Sequence, residues 1–328
     1  MPAVTEHPIQ LARHTLQIAD PDRSLPFYQT VLGMTLLAER SRDSETHYFL
    51  GFVEPGCEPK TGQTRGAAGL QALQQDCLLE LVHDPTRTAA DVRQQPDKTE
   101  GYWKISLSVT DLNVAHDRLV ENGIEVDTPR QVGDIAYLCH FNDPDNYCIE
   151  FIQHDFQQNH QPEANDPTYQ LGTRPGFLLI TYRVRDAEAS LAFYTELLSM
   201  RLLSKQSVEA RGFTLYFLAY TADELPEPDV EHVGNREWLW QRPFTMVEFQ
   251  HVWGTEDDAD FAYRVDTESG FEGISLLAHD MNELQRKLES RGHHIEAGDD
   301  DLLLETSVTT ISDPDGYPIK LIERRHQK

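Results

Sequence analysis

Glu80 and Glu248 stand at matching places in two segments that echo each other, LLELVH (Leu78–His83) and MVEFQH (Met246–His251). A third glutamate, Glu150, closes NDPDNYCIE (Asn142–Glu150), and its counterpart in SDPDGYPIK (Ser312–Lys320) is Lys320. Carboxylates suit two tasks, taking a proton and holding a divalent ion. A charged ammonium offers three donors and no lone pair, so it does neither. The differences between the repeats therefore fall where reactive groups would stand.

The elements that must position these residues are repeated too. DPDRSLPFYQTVLGMTLL (Asp20–Leu37) returns as DAEASLAFYTELLSMRLL (Asp186–Leu203), and HYFLGF (His47–Phe52) returns as LYFLAY (Leu215–Tyr220). The displacement drifts only from 166 to 170 residues along the chain, which marks an internal duplication with small insertions. The polar stretch Gln157–Pro175 reads as a linker, giving domains over 1–156 and 176–328. Ala12–Ala19 and Leu178–Arg185 have strand composition, and Asp20 and Asp186 are N-caps for helices with an apolar stripe. Each domain then repeats the plan. Ile105–Val109 leads to Asp111 and the helix LNVAHDRLVENG, and Ile274–Ala278 leads to Asp280 and MNELQRKLESRG. Gly123 and Gly292 sit where a helix C-terminal glycine belongs. The chain thus reads as α+β, with four strand–helix–strands modules.

Composition narrows the function. The net charge of −27 argues against nucleic acid and anionic membranes, both of which need a basic surface. No apolar run is long enough to span a bilayer, and MPAVTEHPIQ has no signal-peptide pattern. Cys57, Cys77, Cys139 and Cys148 form neither a metal knuckle nor a disulfide framework, so a reduced cytoplasmic protein is expected. There is no phosphate loop, nucleophile elbow or dinucleotide fingerprint. His83 and His251 lie on the strand face opposite Glu80 and Glu248 and read as structural. Trp238, Trp240 and Trp253 are candidates for the rim of an apolar pocket, and Glu256–Asp258 reads as a solvated acidic loop.

The chain resembles the glyoxalase I (lactoylglutathione lyase) family of the vicinal oxygen chelate superfamily. FLLITYRVRDAEASLAFYTELLSMRLL, FTLYFLAYTADELPEP, MVEFQHVWGTEDD and SDPDGY carry the resemblance most closely. It implies paired βαβββ modules curled into half-barrels, two in tandem here. It also implies isomerisation of a glutathione–methylglyoxal hemithioacetal on a divalent ion held by four ligands. Carried over, the second ligand falls on Glu80 and Glu248, and the fourth on Glu150 and Lys320. The third falls on Lys104 and Gly273. The first falls on Arg13 and Leu179 without a gap, or on His14 and Ile180 with one. A one-residue slip turns the side chain to the other face, and the ungapped register is preferred. Of the residues that hold glutathione carboxylates, the strand arginine is Arg183 but Gln17 in the first copy. The Asn and the second Arg of the family fall on Val252 and Ser269.

Modules can pair within each half or between halves. Either way each pocket holds one lysine at a ligand position: Arg13, Glu80, Gly273 and Lys320 with Leu179, Glu248, Lys104 and Glu150, or the self-closed combinations. The expectation is that Lys–Glu ion pairs replace the metals, with no cofactor and with a small molecule bound in one or both cups. The alternative is an active lactoylglutathione lyase-type enzyme, a carbon–sulfur lyase, with Glu80, Glu150 and Glu248 as bases or ligands. It would use nickel, zinc or a similar ion on His14, Glu80 and Glu150, and a glutathione adduct as ligand. A dioxygenase-like site needs two histidines where Lys104 and Gly273 stand. The duplication allows a monomer or a homodimer.

Overall fold

The computed structural model describes residues 8–54, 77–92, 97–265 and 270–324. Cys57 and Ser269 lie outside them. Four modules follow one another. The first holds β1 (Ile9–Gln17), a helix over Pro21–Pro26, β2 (Thr35–Arg42), β3 (Glu45–Gly51) and β4 (Leu78–His83). The second holds β5 (Tyr102–Val109), the helix Leu112–Glu121, β6 (Arg130–Val132), β7 (Ala136–Asn142) and β8 (Cys148–Gln153). The third holds β9 (Pro175–Arg183), the helix Ala187–Ala192, β10 (Arg201–Val208), β11 (Phe213–Ala219) and β12 (Met246–Val252). The fourth holds β13 (Phe271–Ala278), the helix Met281–Ser290, β14 (Glu296–Ala297), β15 (Val308–Ser312) and β16 (Pro318–Glu323).

The helix after the first strand of each module starts as expected. Asp20, Asp111, Asp186 and Asp280 are extended or near-extended and accept backbone N–H groups of the first turn. Gly123 and Gly292 have φ of 76° and 81°, closing their helices in the left-handed region. Among the described residues no helix is long and apolar enough to cross a membrane.

The sheets exchange modules. One eight-stranded sheet has the order β14-β15-β16-β13-β1-β4-β3-β2, joining the first module to the fourth. The other has the order β10-β11-β12-β9-β5-β8-β7-β6, joining the third to the second. β1 runs antiparallel to β13 and β9 to β5. The sheets meet through aromatic side chains from these central strands. His14 (β1) stacks on Tyr102 (β5) with ring centroids 5.5 Å apart, and Tyr102 stacks on Phe271 (β13) at 4.7 Å. Tyr182 (β9) lies 5.9 Å from Phe271.

Within each half the modules are tied instead by the repeated motifs. Tyr28 donates to Asp143 at 2.7 Å and Ser24 to Asp145 at 2.7 Å. Tyr194 donates to Asp313 at 3.1 Å and Ser190 to Asp315 at 3.3 Å. The DPD turns hold these aspartates in place. Asp143 Oδ1 accepts the N–H groups of Asp145 and Tyr147, and Asp313 Oδ1 those of Asp315 and Tyr317. The turn's fourth residue must be left-handed, which Asn146 (φ 68°) and Gly316 (φ 94°) supply. Burial, and then the neighbouring Asp145 or Asp315, pushes Asp143 and Asp313 up to about 7.

Candidate functional site: two cups of opposite fate

The strand facing sets each cup. Arg13 and Thr15 on β1 face Glu80 on β4, while His14 between them faces the other sheet. His14 is fully buried among Tyr102, Phe177 and Phe271, its Nε2 lies 3.1 Å from the Tyr102 hydroxyl, and burial pushes it down to about 3. Glu80 and Glu150 belong to different sheets. The structure therefore does not bring His14, Glu80 and Glu150 together, and module exchange is the reason.

The first cup holds Arg13, Glu80, Gly273 and Lys320. His47 Nδ1 lies 2.8 Å from Glu80 Oε1, and Thr15 Oγ1 donates to Glu80 Oε2 at 3.0 Å. Burial favours the neutral Glu80, but the His47 hydrogen bond and the charges of Arg13 and Lys320 outweigh it and hold the carboxyl at about 2. Arg13 Nη1 is 4.0 Å from Glu80 and makes a bidentate pair with Asp301, at 2.5 and 2.8 Å. Asp301 Oδ1 also accepts the N–H groups of Leu303 and Leu304, turning both leucines inward. They pack with Ala12, Leu37, Phe49 and Leu277. The expected Lys–Glu80 contact does not form: Lys320 Nζ lies 3.8 Å from Glu272, and the cation nearest Glu80 is Arg13. Gly273 has φ of 92°, and a Cβ there would lie 1.9 Å from the Pro318 carbonyl oxygen. No ligand side chain fits at that position.

The second cup brings together Leu179, Glu248, Lys104 and Glu150. Lys104 Nζ donates to Glu150 Oε1 at 2.6 Å, Glu248 Oε2 at 2.9 Å, Ser106 at 3.2 Å and Thr181 at 3.3 Å. Thr181 also donates to Glu248, as Thr15 does to Glu80. Burial would lower Lys104, but the charges and hydrogen bonds of the two glutamates outweigh it and hold the ammonium above its ordinary value. Burial likewise opposes ionised Glu150, yet Lys104 and His140 hold it well below the carboxylate range. Glu248 is pushed up, first by burial and then by Glu150, against Lys104 and Thr181. Of the two carboxyls, Glu248 is the readier to carry a proton.

Above this floor opens a cavity with about 590 Å³ of empty space, counting its mouth. Leu138, Leu179, Phe217 and Trp240 are among its apolar walls. Trp240 donates its indole N–H to the Ile135 carbonyl at 3.0 Å. Trp238 is half-buried against the same apolar cluster, whereas Trp253 is exposed and donates to Thr214. Arg183 does not line this cavity. Its guanidinium donates to Gln250 and to the Glu100 carbonyl and lies 5.5 Å from the Trp103 ring. His251 pairs with Glu256 at 2.9 Å, so that glutamate is anchored and not merely solvated.

Sequence reasoning missed His140, whose Nε2 lies 2.9 Å from Glu150 Oε2 at the cavity wall. The signal is the strand register: β7 and β8 pair His140 directly with Glu150, so both face the cup, and that pairing is seen only in the folded sheet. It also missed His47 and Asp301.

A divalent ion does not fit either cup as the side chains stand. Among the described residues no group of three or more His, Cys, Asp or Glu side chains could hold a metal. In the second cup the ammonium sits between the two carboxylates, where it would repel a divalent ion by about 8 kcal/mol at 4 Å and an effective dielectric of 20.

Comparison with known proteins agrees with this architecture. The Glyoxalase/Bleomycin resistance protein/Dioxygenase superfamily matches residues 10–151 and 176–321. Glyoxalase I of Saccharomyces cerevisiae is 27% identical over 96% of this chain and 93% of its own length. The lactoylglutathione lyase of Schizosaccharomyces pombe is 26% identical over 99% of this chain and 100% of its own. The crystal structure of glyoxalase I from Zea mays superposes with a TM-score of 0.66 at 19% identity, covering 96% of this chain and 92% of that one, a likeness of fold.

Proposed function

The chain belongs to the Glyoxalase/Bleomycin resistance protein/Dioxygenase superfamily, and from that premise we propose that its second cup binds a small molecule with an ammonium standing in for a divalent ion. The observation that supports this reading is Lys104 Nζ lying 2.6 Å from Glu150 and 2.9 Å from Glu248 beneath an apolar cavity. The lysine balances charge that the two glutamates would otherwise place on a metal, and all its donors are engaged within the floor. The first cup, where Leu303 and Leu304 pack beside the Arg13–Asp301 pair, is structural in this reading.

The test is metal content by elemental mass spectrometry after loading with nickel, then zinc, then dialysis. The expected result is no retained ion. Stoichiometric metal that is lost on Glu248→Gln sinks the reading.

A second reading is a lactoylglutathione lyase-type isomerase of a hemithioacetal. The names of the two relatives that span the whole chain support it. In it Glu248, with its raised proton affinity, is the candidate base. Hemithioacetal isomerisation assayed with and without glutathione separates the two readings.

A further inference from the structure

We propose that the second cup takes an amphipathic carboxylate, an apolar body with one anionic group held at the mouth between Arg130 and Arg211. This rests on the reading of that cup as a metal-free binding site. The two arginines come from opposite ends of one sheet. Arg130 opens β6 and Arg211 ends the turn between β10 and β11, yet both line the same cavity. β6 and β10 are the two edges of the sheet, so its curl brings their arginines to the cavity from opposite sides.

Both arginines are exposed, and among the described residues neither guanidinium has an ion pair or a side-chain hydrogen bond. In a chain with 55 acidic and 28 basic side chains, carboxylate partners are abundant. Two unpaired cations at the mouth of one apolar cavity therefore form a site of positive potential in a negative molecule.

The floor fixes the ligand's direction. Lys104 spends its donors on Glu150, Glu248, Ser106 and Thr181, and His140 is turned to Glu150. An anion pushed to the floor would meet two carboxyls and no free donor from the lysine. Its body must fill the apolar walls while its charge stays at the arginines. A polar tripeptide with two carboxylates and an ammonium matches these walls poorly, because its amides would be desolvated without partners.

The test is calorimetric titration of the intact chain with naphthaleneacetate, its neutral amide naphthaleneacetamide, and S-hexylglutathione. The acid should bind about ten-fold more tightly than the amide through charge-assisted bonds. That advantage should collapse in about 1 M NaCl, where charges are screened within a few ångströms. In the Arg130→Gln/Arg211→Gln variant both should bind at the amide's affinity. Equal binding of acid and amide to the parent chain overturns the proposal, as does an advantage that survives the double variant. A Leu179→Trp variant, which fills the cup, separates the two readings. If acid and amide bind equally and this variant abolishes both, the anion assignment fails and the binding cup stands. If neither binds, or if S-hexylglutathione alone binds and only with nickel or zinc, both fail.

Discussion

In the first cup Glu80 is met by His47, Thr15 and Arg13; in the second Glu248 is met by Thr181 and Lys104. The strands and the Thr–Glu contact are shared, and what differs is the cation that meets each glutamate and the loop that borders each cup. β6 and β7 are joined by three residues, 133–135, and that cup stays open. β14 and β15 are joined by ten, 298–307, whose leucines pack beside the other cup and whose Asp301 pairs with its Arg13. In the second cup an ammonium lies between two carboxylates beneath an open cavity. In the proposed reading the second cup carries binding and the first carries stability.

The difference can be broken at several points. Gly273→His should cost about 4 kcal/mol or more, since the position combines a left-handed φ with a backbone clash. The equivalent Lys104→His should fold and retain nickel or zinc after dialysis, with Glu150 and Glu248 as neighbours. Denaturant melts and elemental analysis of the pair test this, and a metal-free Lys104→His chain counts against the ammonium-for-metal reading. Asp301→Ala leaves the Arg13 guanidinium buried without its bidentate partner and should cost about 3–5 kcal/mol. Arg13→Met with Asp301→Leu should recover most of that loss, as read by the same melts.

Smaller effects should be alike in the two halves. Tyr28→Phe and Tyr194→Phe each remove a donor from a buried aspartate and should cost about 1–3 kcal/mol apiece. Unequal losses would show that the two ties are not equivalent. The pH profile is the gentlest probe. Asp143 and Asp313 are raised to about 7, so their contribution is complete below the unfolded value of 3.8 and is lost as pH rises through about 7. Glu80 is lowered to about 2, so its contribution is complete above 4.5 and is lost as pH falls toward 2. On these shifts thermal melts should peak at about pH 4 and decline toward pH 7, and Asp143→Asn with Asp313→Asn should flatten the alkaline side.

Much of the fold was legible because it is written twice. The capping aspartates, the Ser–Leu–x–Phe–Tyr helices and the DPD turns read as local motifs, and local chemistry fixes them. Their mutual bonds were not legible, since Tyr28 and Asp143 are far apart in sequence. Module pairing was left open for a related reason. β1 and β9 have similar composition, and nothing local tells β1 to choose β13 over β5. The glutamates and Lys104 were found through the echo and the resemblance. Asp301 ends a run of three acids, Asp299–Asp301, with nothing local to single it out, and its partner lies 288 residues away. His140 needed a register that only the folded sheet displays.

The exchanged sheets also impose an order on synthesis. The sheet carrying Lys104 draws on one uninterrupted stretch, from β5 to β12, which ends at Val252. The other sheet joins strands from both ends of the chain, and β1 waits for β13. On the ribosome the middle of this protein can pair its strands while the first module is still without its partner, the reverse of N-terminal-first assembly. Nascent chains halted shortly beyond Val252 should already protect β5 and β9 from proteolysis and leave β1 cleavable. The last strands to emerge act as a clasp, and truncating them should release the beginning of the chain before it disturbs the middle.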